Sequence, residues 1–182
     1  RASRPVWLIA FDLEELGTIG SKAMARYIKE NGPRPLWMAS LEMVGYRDSA
    51  PGTQRYPMPF RWFYRDRGDF LLLLGNLGAH RLMGQMAGSL EKASVTTQRF
   101  TMPFRGRLVP PSRFSDHAPF WDQGYQALML TDGAEFRNAN YHTPTDVMDS
   151  LDFWFMGNSC KATIATLCVL AEIRHSAVAH AG

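Results

Sequence analysis

Val6-Trp7-Leu8-Ile9-Ala10-Phe11-Asp12-Leu13-Glu14-Glu15-Leu16-Gly17 decides how the rest of the chain is read. Its first six residues are an unbroken apolar run with a β-branched and aromatic bias, the pattern of a strand buried on both faces. The run stops at three acids within four positions. Gly17 and Gly20 then release the backbone, and residues 21–30 read as a helix. Strand, acidic turn and helix make one half of an α/β crossover. In open α/β sheets ligands bind beyond the carboxyl ends of the strands, where this pattern puts Glu14 and Glu15. Their side chains diverge in an extended turn, so one carboxylate could hold a metal while the other moves a proton. A solvated acidic turn is the plainer alternative.

The same pattern recurs downstream. After a stop at Asn31-Gly32-Pro33, Leu36-Trp37-Met38-Ala39-Ser40-Leu41 forms a second apolar run that closes on Glu42. Residues 47–69 are a long irregular segment with Pro51-Gly52, Pro57, Pro59 and the aromatics Tyr56, Phe60, Trp62, Phe63 and Tyr64. A segment of that length is a functional loop or lid, or else a Pro-rich surface loop with aromatic anchors. Strands are expected at residues 70–74, 95–100 and 127–131, and helices at residues 77–93 and 150–175. A short helical turn is expected from Asp116. Alternating strands and helices predict an α/β fold, a three-layer αβα arrangement around a mostly parallel sheet. The 182 residues form one domain, 1–182, with no internal boundary.

Composition excludes several roles. A net charge of +3, without a run of like charges, gives no nucleic-acid footprint. No apolar stretch reaches the roughly 18 residues of a membrane span. Cys160 and Cys168 lie eight apart in one expected helix, about 12 Å along its axis, too far to bridge each other. Among the polar residues at strand ends and in the following loops, Glu15, Glu42 and His142 form a mixed oxygen and nitrogen donor set of the kind zinc accepts. Taken singly, Glu42 could pair with an arginine and His142 could be an ordinary loop histidine. Ser115, Asp116 and His117 have the residue types of a hydrolase triad. Adjacent in sequence, they cannot form its relay, and no G-x-S-x-G elbow is present.

Four motifs taken together say more: residues 10–17 followed by Gly20-Ser21; Leu41-Glu42-Met43-Val44-Gly45-Tyr46; Ser115-Asp116-His117-Ala118-Pro119-Phe120-Trp121; and Tyr141-His142-Thr143-Pro144-Thr145-Asp146. In this order the chain resembles the co-catalytic zinc aminopeptidase family, which also holds aminopeptidase Y, glutamate carboxypeptidase II and the glutaminyl cyclases. The resemblance implies a zinc-exopeptidase-like fold and release of N-terminal residues from a peptide substrate with a free N-terminus by a metal-activated water. By position, Glu14 matches the general base, Glu15 a ligand of one zinc, and His142 the last zinc-binding histidine. Glu42 stands where many members place an Asp on the other zinc, and is one methylene longer. Tyr141 matches an oxyanion donor. Asp116 and His117 match a pair beside the site that supports the ligands. The aromatics of residues 56–64 are expected to line the substrate pocket.

The family also uses a histidine and a bridging aspartate upstream of the paired glutamates, and this chain has neither there. The resemblance therefore implies the C-terminal portion of a longer enzyme, one or two zinc ions, and an incomplete sheet edge prone to association. It also implies an exported location by family habit. A glutaminyl-cyclase-like enzyme and a non-catalytic binding homologue are the alternatives. The isolated polypeptide is expected to bind zinc weakly and show little or no peptidase activity. Metal content after dialysis against trace zinc, compared with a Glu15→Ala/His142→Ala double variant, tests the first point. Full activity from this polypeptide alone would refute the second.

Overall fold

Within the computed structural model, residues 3–56, 62 and 64–172 are described. The strands are β1 (Met38–Glu42), β2 (Leu71–Asn76), β3 (Thr97–Met102) and β4 (Ala127–Thr131), and the main helices are α1 (Ile19–Asn31), α2 (His80–Lys92), α3 (His117–Asp122) and α4 (Phe153–Leu170). They form one four-stranded sheet in the order β1-β4-β2-β3. β1 runs parallel to β4 and β2 parallel to β3, while β2 and β4 are antiparallel. Two of three pairings are thus parallel.

Strand alternation builds the layers. Leu71, Leu73, Leu128 and Leu130 face one side, where they pack with Leu82, Met83, Met86 and Leu90 of α2 and with Phe155 and Ala162 of α4. Leu74, Ala127 and Met129 face the other, against Ala25 and Ile28 of α1 and Phe120 and Trp121 of α3. With helices on both faces, every residue of β4 is buried. This is the expected three-layer αβα arrangement.

The helix at residues 77–93 opens with a 3₁₀ turn at Leu77–Ala79 before α2. α4 starts three residues later than expected because Asp152 caps it, its Oδ1 accepting from Phe155 N at 2.9 Å. Cys160 and Cys168 are free on α4. The end expected at residue 175 lies outside the described residues, as do Phe60 and Phe63. No described helix is long and apolar enough to cross a membrane.

The opening run departs from its expectation. Residues 6–11 belong to no described strand. Val6, Trp7, Leu8 and Ile9 are 40, 52, 87 and 40% exposed, and only Phe11 tucks in, its ring 6.1 Å from that of Phe120. The composition suits a two-sided strand, but strand burial is conferred by neighbours, and no described strand pairs with this segment. Among the described residues β1 likewise pairs only with β4.

Leu90 is fully buried between α2 and the sheet. Leu90→Ala is expected to destabilise the fold by about 3 kcal/mol, read by chemical denaturation, because the surrounding helix and sheet cannot collapse into the space.

Candidate metallopeptidase site

The Glu14-Glu15 turn is held by its own backbone. Gly17 N and Thr18 N donate to Glu14 O at 2.9 and 2.7 Å, Ile19 N to Leu13 O at 3.2 Å, and Gly20 N to Asp12 O at 3.0 Å. Gly20 is required here, since a Cβ would lie 2.6 Å from Asp12 O. The two carboxylates are thereby fixed against the start of α1. Glu42 ends β1 and sits in register with Thr131 of β4. Ser40, two residues earlier, shares its strand face. Ser115 Oγ donates to Glu42 Oε2 at 2.9 Å and lies 3.2 Å from Ser40 Oγ. Ser115 has one proton, committed to the carboxylate, so Ser40 donates to Ser115.

Tyr141 and His142 come from the loop after β4. Their rings stack at 3.9 Å. His142 adopts φ 56°, which turns its imidazole back across the sheet end. Its Nε2 lies 2.9 Å from Glu15 Oε1, joining residues 127 apart in sequence. Glu14, Glu15, Glu42 and Tyr141 line one cavity of about 510 Å³, whose lining also includes the apolar Phe70, Leu72, Phe100 and Met129. Tyr56 also lines it, and Tyr64 packs edge-on against Phe100 at 4.5 Å.

Desolvation, then the negative charges of Glu42, Glu15 and Asp116, push the Glu14 carboxyl up to about 7, with His142 pulling the other way. Burial also raises Glu42, although its bond from Ser115 opposes this. Burial and the surrounding glutamates raise the Tyr141 phenol, which stays protonated as a donor. Asp116 contributes charge to Glu14 and Glu42, and its Oδ1 is buried with no partner among the described residues. His117 is fully buried and turns into the core rather than toward the cavity: Nε2 donates to Ser112 O at 2.9 Å, and the ring meets Trp121 edge-on at 4.4 Å.

The donor set sets a limit on metal binding. Two ligands of one tetrahedral zinc stand roughly 3.3 Å apart, close to the Glu15–His142 separation. That pair suits part of a zinc site. Among the described residues no group of three His, Cys, Asp or Glu side chains converges, and Glu42 is engaged with Ser115 instead. A catalytic zinc takes three protein ligands, so the described residues do not make a complete centre.

Residues 1–167 match the model of peptidase family M28. The chain belongs to peptidase family M28. The M28 chain is 36% identical over 165 residues to the uncharacterized protein YfbL of Escherichia coli (strain K12), covering 89% of this chain and 50% of that one. It is 26% identical to a probable zinc metalloprotease of Phaeosphaeria nodorum, covering 36% of it. It therefore spans half or less of these curated relatives. Among solved structures, Legionella pneumophila LapA superposes with a TM-score of 0.70 at 20% identity, covering 94% of this chain and 41% of LapA. BSAP, a zinc aminopeptidase from Bacillus subtilis, gives 0.57 at 20%. These likenesses concern the fold. The family resemblance read from the four motifs holds.

Sequence reasoning missed Ser40, whose i, i+2 spacing to Glu42 was the available signal. It also missed Gln54, Asp132 and Arg137, buried polar residues that no spacing rule singles out.

The core position of His117 has a consequence for acid stability. Desolvation lowers its ring from 6.5 to about 4, partly offset by the bond to Ser112. A group depressed in this way contributes stability that is complete above pH 6.5 and lost as pH falls through 4. Relative to His117→Gln, the wild type is expected to lose about 3 kcal/mol between pH 7 and pH 4, measured by urea unfolding of both proteins at each pH.

Proposed function

We propose that this chain carries the larger part of the active site of a zinc-dependent aminopeptidase that acts on peptides with a free N-terminus. The observation that carries the reading is the meeting of Glu15 Oε1 and His142 Nε2 at 2.9 Å, beside the desolvated Glu14, with Glu14, Glu15 and Tyr141 lining one cavity. Names of relatives and neighbours support zinc and peptide chemistry.

In this reading Glu15 and His142 would hold one zinc, and Glu42, its carboxylate aimed by Ser115, would hold the other. The remaining donors come from polypeptide outside the described residues. The uncovered run at residues 6–9 and the open edge of β1 mark where such a segment packs. A zinc ion supplies Lewis acidity to the scissile carbonyl and makes water more acidic. Glu14 takes the proton of the attacking water and passes it to the leaving amine. A carboxyl poised near 7 suits both transfers. The Tyr141 hydroxyl donates to the oxyanion. The apolar wall of the cavity receives the N-terminal side chain.

In a full-length protein containing this chain, Glu14→Gln is expected to lower release of an N-terminal leucine by about 10²- to 10⁴-fold with zinc content unchanged. Turnover that survives the substitution would overturn the role of Glu14. Cyclisation of an N-terminal glutamine peptide in place of leucine release would assign the site to the glutaminyl-cyclase reaction.

A further inference from the structure

Asp132 and Arg137 are buried polar residues just after β4, 1 and 4% exposed. Their contacts run to two different site loops. Asp132 Oδ2 accepts from Gly45 N at 3.1 Å and Tyr46 N at 2.7 Å, and its own N donates to Met43 O at 2.6 Å. That pins the turn directly after Glu42, where Met43 takes φ 46°. Oδ1 accepts from Ala134 N at 3.0 Å. Arg137 Nη1 donates to Phe70 O at 2.7 Å, and Nε to Gln54 Oε1 at 2.7 Å, with the guanidinium 4.5 Å above the Phe70 ring. Its stem passes through a gap sized by Gly68, where a Cβ would meet Arg137 Cδ at 2.6 Å.

The bracing continues toward the imidazole. Asn138, also buried, accepts from Asn140 N through its side chain at 2.9 Å and from Tyr141 N through its carbonyl at 3.3 Å. Asn140 in turn accepts from Thr145 Oγ1 and from Thr143 N. Ala134 joins the two ends, its N donating to Asp132 Oδ1 and its O accepting from Asn138 N at 2.8 Å, so hydrogen bonds run from the turn after Glu42 through Asp132, Ala134 and Asn138 to the loop that presents Tyr141 and His142. We infer that Asp132 and Arg137 are positioning residues, which fix Glu42 and the Tyr141–His142 pair relative to each other. The inference deepens the peptidase reading, and rests on it for the role of the groups being positioned.

Asp132→Asn tests it with little change of shape. One carboxylate oxygen becomes an NH₂, which must face either the Ala134 N–H or the Gly45 and Tyr46 N–H groups. Gly68→Ala displaces Arg137 without touching the site. Both variants are expected to speed amide hydrogen exchange about tenfold or more at Gly45, Tyr46, Asn140 and Tyr141, and to shift the His142 ring resonance. Exchange at Ala162 and Thr163 in α4 should stay unchanged. Leu90→Ala, which weakens the opposite layer, should leave the His142 resonance in place. Acceleration confined to Gly45 and Tyr46 would overturn the inference, as would a His142 shift of equal size in Leu90→Ala. If Asp132→Asn does not fold, Gly68→Ala alone decides. Neither readout needs turnover, so a full-length protein that releases no N-terminal residue would refute the peptidase reading and leave this one standing.

Discussion

The parallel pairing of β1 with β4 governs the arrangement of the site. It sets Glu42 level with Thr131 and ends both strands at the same rim. Everything placed after either strand is then delivered to one place: the turn at residues 43–46, Asp132, and the loop that reaches Tyr141 and His142. The pairing holds because β4 is buried on both faces, with α2 and α4 on one side and α1 and α3 on the other. A strand in that position has no freedom to slip, since a one-residue shift would exchange Leu128 and Leu130 with Ala127 and Met129 between unlike cores.

At that rim the protein concentrates negative charge in partly dry surroundings. Glu42, Glu15 and Asp116 add to the desolvation that raises the proton affinity of Glu14, with His142 opposing, and Asp116 and Glu15 do the same to Glu42. Such a cluster is unfavourable unless a cation or a proton compensates. A site of this kind is built for positive charge, and the Glu15–His142 contact shows where two donors meet. The described residues leave the set short, and they also leave the apolar run at residues 6–9 uncovered. The chain spans 41% of LapA.

The polar core beneath the rim serves geometry. Asp132, Arg137, Asn138 and Gln54 are buried, and their hydrogen bonds go mostly to backbone groups of neighbouring loops. Loops normally move more than the elements they connect. Anchoring them through buried side chains restricts them without lengthening the strands. The uncompensated Nη2 of Arg137, which has no partner among the described residues, is the unfavourable side of that arrangement.

Local sequence determined much of this protein. Apolar runs of strand length closing on Glu42 and Thr131, the α2 stripe of Leu82, Met83, Met86 and Leu90, and the glycines after Glu15 all act within a few residues of themselves. Their period and backbone freedom are therefore written in the chain, and so are the four motifs that place it in its family. Tertiary structure alone decided the rest. The run at residues 6–11 is apolar enough for a two-sided strand, yet it lies exposed because burial requires neighbours. His117 looks like a site residue by position, yet it packs on Trp121. The Glu15–His142 contact and the brace from Asp132 to Asn138 link segments far apart in the chain, and a distance between such segments is fixed by strand register and packing, which no local pattern encodes.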